Sequence, residues 1–197
     1  MRHPVCHIET EGEYFHRLDV ELIDDMRRRA AFEERRLRMA EACQTSDPRI
    51  LDALERLGYG QATVALLYLV PLVHVAWIDG SVNQAERNRI IVMASLQGVR
   101  ENIPAYQQLM AWLDRRPSDE FFQGTLRVIQ ASLESLPENE RKARKESLIR
   151  CCREVAYVSC GFFGWKSKIC IAKRTLISEI GNLLETKQQA ATAGAGS

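Results

Sequence analysis

Stretches that alternate apolar and polar residues are scarce in this chain, which argues against a sheet-built fold. Charge of one sign is scarce too. The 27 Lys and Arg against 26 Asp and Glu leave a net +1, which gives no field for steering onto nucleic acid. The N-terminal stretch MRHPVCHIETEGEYFHRLD has no apolar core of a signal peptide, so a cytoplasmic protein is expected. The six cysteines then read as reduced thiols, not disulfides. ATVALLYLVPLVHVAWI, positions 62–78, is free of formal charge. At 17 residues it falls short of the roughly 20 that a spanning helix needs, and it contains Pro71 and His74. A buried core helix is expected there, and no transmembrane span.

Catalytic signatures are missing as well. The chain has no nucleophile elbow, no phosphate loop and no H-E-x-x-H. GFFGW lacks the Gly-Lys-Ser/Thr ending of a phosphate loop. Cys151, Cys152, Cys160 and Cys170 follow no paired C-x-x-C spacing. A non-enzymatic protein without a cofactor is expected.

What is present is helix punctuation. Residues 18–43 form a charged segment in which Asp24 and Arg28, and Asp25 and Arg29, sit four apart in the supporting order. Its balanced charges read as a solvated helix face. Asp47 or Ser46 caps a helix that opens at Pro48 and stops near Gly58. A buried helix follows from about Gln61 to Ile78. Asn83-Gln84-Ala85-Glu86 has the form of a capping box and starts a helix to Gly98. Pro104, Ser118 and Pro137 open three more, and the last runs from about Ile171 to Glu185. The expected organisation is an N-terminal segment with a charged helix (1–46), a helical domain (47–186) and a tail (187–197) with too little apolar surface to fold.

Two stretches of the domain repeat each other weakly. VAWIDGSVNQAERNRIIVMASL begins at Val75, and VAYVSCGFFGWKSKICIAKRTLISEI begins 80 residues later at Val155. In this alignment Asp79 meets Ser159, Val82 meets Ile169, Ala85 meets Ala172 and Glu86 meets Lys173. The second loop is seven residues longer and glycine-rich. A pseudo-symmetric bundle is expected, with Val82 and Ile169 plugging the core.

VAWIDGSVNQAE resembles the signature of the TerB-like family, the tellurite-resistance fold, a version of which opens some membrane-anchored DnaJ-type co-chaperones. The family pattern is an apolar helix followed by Ala-x-x-Asp-Gly-x-apolar-x-x-x-Glu, and Ala76, Asp79, Gly80, Val82 and Glu86 fit it. GFFGWKSKI resembles the long glycine-rich second loop of bacterial members. The resemblance covers about Ile50 to Leu184. It implies an all-α, pseudo-symmetric bundle of about seven helices plus the charged N-terminal helix. It also implies a role in chemical or envelope stress, exercised through a protein partner that could be membrane-associated. A divalent-metal site built from Asp79, Glu86 and Asn83 is the alternative it raises.

Read from the residues alone, that loop has a plainer meaning. Asp79 and Gly80 make a turn, Asn83 caps, Glu86 answers the cap and Val82 fills the core. An EF-hand is excluded, because its first and third ligand positions would be Val75 and Trp77. The second loop offers Ser159 and Lys173 where paired acidic loops would offer acids, so no tight binding of calcium, magnesium or zinc is expected. Phe162, Phe163 and Trp165 are the candidate partner-binding residues. Cys160, beside Gly161 and near Lys166 and Lys168, is the candidate reactive thiol. His3, Cys6, His7 and His16 form an N-terminal set without diagnostic spacing. His74 is expected to be buried and hydrogen-bonded.

Overall fold

The computed structural model describes residues 11–43, 45–160 and 168–185, except the side chains of 11–15, 42, 43, 160, 168 and 169. Its described residues form eight α-helices and no strand. These are α1 (Glu11–Cys43), α2 (Pro48–Arg56), α3 (Val70–Ala76), α4 (Gln84–Leu96), α5 (Pro104–Asp114), α6 (Asp119–Glu134), α7 (Glu138–Cys160) and α8 (Lys168–Leu183). No helix among the described residues is long and apolar enough to cross a membrane.

The chain divides into two compact units between Arg38 and Met39, a point inside α1. The first unit is the forward part of α1, whose described side chains up to Arg38 lie mostly in solvent. Arg29 and Asp25 pair at 2.7 Å, Arg27 and Asp24 at 3.5 Å, and Arg38 bonds Glu34 one turn back.

The second unit is a bundle around α3. All seven residues of α3 are buried, and α4, α6, α7 and α8 pack against it. That explains the uncharged run, since a helix walled in on every side can carry no charge without a partner. The single helix expected over 61–78 is not what forms. Val64–Leu69 is a 3-10 segment, α3 starts at Val70, and Trp77–Asp79 is a second 3-10 turn. Pro71 is the cause. Inside a continuous helix it would remove a hydrogen bond and clash with the carbonyl four residues back, whereas near the start of α3 its missing N–H costs nothing.

The helix ends follow their residues. Asp47 Oδ1 accepts from Arg49 N at 2.9 Å, and Ser118 Oγ accepts from Phe121 N at 3.2 Å. Gly58, at φ +81°, closes α2 with Gly58 N bonded to Glu55 O and Tyr59 N to Leu54 O. This paired pattern needs a left-handed residue and buries Tyr59 as the next side chain. Tyr59 then stacks on Phe121, and its hydroxyl lies 3.1 Å from Thr125 Oγ1.

Candidate functional site

The site is the end of the bundle where the first loop meets α8. Asp79 ends the 3-10 turn that follows α3. Gly80, at φ +89°, turns the chain, a conformation that favours glycine. Asn83 then caps α4. Its Oδ1 accepts from Glu86 N at 3.0 Å, and Glu86 Oε2 accepts from Asn83 N at 3.0 Å. The capping box expected from the sequence is therefore formed. Val82 packs, partly buried, against the core. The side chain of Ile169, its expected counterpart, lies outside the described residues.

The box holds Glu86 in one orientation and leaves its other oxygen facing inward. That oxygen, Oε1, accepts from Lys173 Nζ, which comes from α8. Both side chains are 0% exposed. Lys173 Nζ also lies 3.1 Å from Asp79 Oδ2 and donates to Ser159 Oγ at 3.0 Å. Ser159 in turn donates to Ala156 O at 2.9 Å within α7. An ammonium has three N–H donors and no acceptor. Here each donor has an oxygen: one carboxylate that is wholly buried, one that is 17% exposed, and one hydroxyl.

The arrangement accounts for a buried lysine, which is rare without partners. It also gives Glu86 a second role. As a cap alone its loss would cost about 0.5 to 2 kcal/mol. As the buried partner of Lys173 its loss strands an ammonium, and breaking such a pair costs about 3 to 5 kcal/mol. The sequence signal for the partnership was the alignment that set Lys173 opposite Glu86. The sequence separation of 87 between the bonded side chains equals the offset of the two aligned helices.

The donor set does not suit a divalent cation. Calcium takes six to eight oxygens, and magnesium keeps an octahedron with several waters. Three oxygens converge here, and the point they share is held by a positive charge that belongs to the chain. Asn83 Oδ1 and Glu86 Oε2 are engaged with backbone amides. Among the described residues no group of three or more His, Cys, Asp or Glu side chains could hold a metal ion.

The remaining candidates fall elsewhere. Phe162, Phe163 and Trp165 lie outside the described residues, as does the side chain of Cys160. His3, Cys6 and His7 lie outside them too, and His16 is exposed on α1. Cys170 is disulfide-bonded, which corrects the expectation that all six cysteines are reduced thiols. The expectation came from compartment reasoning, which is silent about which sulfurs the fold brings together. Cys151 and Cys152 are free thiols. Burial pushes both thiols up, so neither is poised as a thiolate.

His74 is buried as expected, and its Nδ1 has no hydrogen-bond partner. Its ring lies flat on Phe122, with centroids 4.2 Å apart and planes 7° from parallel. The Arg116 guanidinium covers the same phenyl ring at 5.5 Å. Burial first, and the nearby Arg116 charge second, lower the His74 pKa from 6.5 to about 4. The imidazole is thus neutral at neutral pH and serves as an aromatic packing group.

Comparison with known proteins returned no match, whether to a family model, a curated protein or a solved structure.

Proposed function

We propose that the chain is a non-enzymatic, TerB-like helical module that acts by protein interaction in chemical or envelope stress. The observation that carries this reading is the engagement of Lys173 by Asp79, Glu86 and Ser159. The charged residues of the first loop and α8 satisfy one another, so among the described residues this cluster offers no free charged group to a substrate. Two pairs equated by the repeat, Asp79 with Ser159 and Glu86 with Lys173, converge on one nitrogen. That convergence supports two related halves facing each other, as a pseudo-symmetric bundle requires.

The same end offers apolar surface. Ile78, Val158 and Ile171 are exposed, and each stands one or two residues from a member of the cluster. Exposed apolar side chains next in sequence to the cluster suit a protein partner better than a small substrate. Phe162, Phe163 and Trp165 extend that reading in sequence.

Two measurements test the proposal. Affinity capture from a native lysate should yield a partner that is lost with Ile171→Asp or Trp165→Ala while each variant melts as the wild type does. Unchanged capture by both variants would move the surface elsewhere. Calorimetric titration with calcium, magnesium or zinc should give no tight binding. A micromolar signal abolished by Asp79→Ala would replace the interaction reading with the divalent-metal one.

A further inference from the structure

The forward part of α1, Glu11–Arg38, is about 40 Å of helix at 1.5 Å per residue. Most helical stability in proteins comes from packing an apolar face. This one has such a face. Leu18, Leu22 and Met26 follow at four-residue steps, and Leu37 returns to the same side three turns later. All four are exposed, between 40% and 64%.

The charges show which partner fits. From Glu11 to Asp25 there are six acidic residues (Glu11, Glu13, Asp19, Glu21, Asp24, Asp25) and one Arg, a net of 1 − 6 = −5. From Met26 to Arg38 there are six Arg and two Glu, a net of 6 − 2 = +4. A helix acidic in one half and basic in the other complements a copy of itself running the opposite way. Parallel copies would set −5 against −5. An anionic membrane would attract one half and repel the other.

We propose that α1 is a self-association arm that pairs antiparallel with α1 of a second copy of this chain. The apolar stripe forms the seam, and the acidic half of each helix lies along the basic half of the other. Flanking charges of this kind set orientation and partner choice in paired helices.

Light scattering and sedimentation on the full chain test this. The wild type should run at twice the chain mass, and the dimer should weaken as salt rises from about 50 mM to about 500 mM, because screening removes the attraction. One variant carries Asp19→Lys, Asp24→Lys and Asp25→Lys. A second carries Arg27→Glu, Arg28→Glu and Arg29→Glu. Each alone should associate at least about tenfold more weakly, since like charges then face each other. Mixed, the two should restore the dimer. Leu22→Asp with Met26→Asp should give a monomer that melts as the wild type does, because both side chains are exposed. A wild type that is monomeric at every concentration overturns the proposal, whether or not it binds vesicles. So does a dimer that tightens with salt, or one that survives both charge reversals.

Discussion

The two units use charge in opposite ways. Along α1 the acids and arginines stand in water and pair locally, as Asp25 does with Arg29 and Glu34 with Arg38. At the end of the bundle, one ammonium and two carboxylates from distant parts of the chain meet with almost no water. Exposed pairs contribute about 0 to 1 kcal/mol, because water screens them and ordering two long side chains offsets the gain. In the bundle Glu86 and Lys173 depend on each other, since neither can be resolvated without opening the fold. The number of ion pairs therefore says little about either unit. What matters is whether a charge has water to return to.

The largest expected effect breaks the interior cluster. Lys173→Met should leave two carboxylates facing each other, and Glu86→Ala should strand the ammonium. Each should cost about 3 to 5 kcal/mol in urea unfolding. A loss of under about 1 kcal/mol in both would mean that the cluster carries no more weight than a surface pair.

Acid should act next, through His74. The unfolded side chain takes up a proton near pH 6.5, and the folded one only near pH 4. Between those values the unfolded state holds the extra proton, so stability falls as pH drops through that window. His74 keeps 8% of its surface in water. With screening there, about 1 to 2 kcal/mol should be lost between pH 7 and pH 4. His74→Leu should flatten that part of the profile, and an unchanged slope would assign it to other groups.

The smallest effect should come from α1. Asp25→Ala should change unfolding by no more than about 0.5 kcal/mol. A loss approaching that of Lys173→Met would erase the contrast between the units.

How much of this was legible depended on range. Caps and stops are local, so Asp47, Asn83 with Glu86, Ser118 and Gly58 were readable from a few neighbouring residues. The uncharged run announced a buried centre, but not how Pro71 divides it, because the run's apolar periodicity does not say where a backbone clash falls. The Lys173 cluster was half visible. The repeat placed a lysine opposite Glu86, and only the three-dimensional approach of α8 turned that opposition into a bond. The unpartnered Nδ1 of His74 depends on Phe122 and Arg116, neighbours far along the chain that no local pattern encodes.

The sequence separation of 87 between Glu86 and Lys173 also sets an order of events during synthesis. A ribosome releases α3 and α4 well before α8, and a chain is made at about 5 to 20 residues per second. Through that interval Glu86 can complete its cap but has no counter-ion. Burying it then would enclose a lone carboxylate, which is strongly unfavourable. The nascent bundle should therefore stay open at this end, its carboxylates hydrated, until α8 emerges and delivers the ammonium. Closure once α8 has emerged makes Lys173 a latch, and a chain stopped before it should be a substrate for chaperones and proteases.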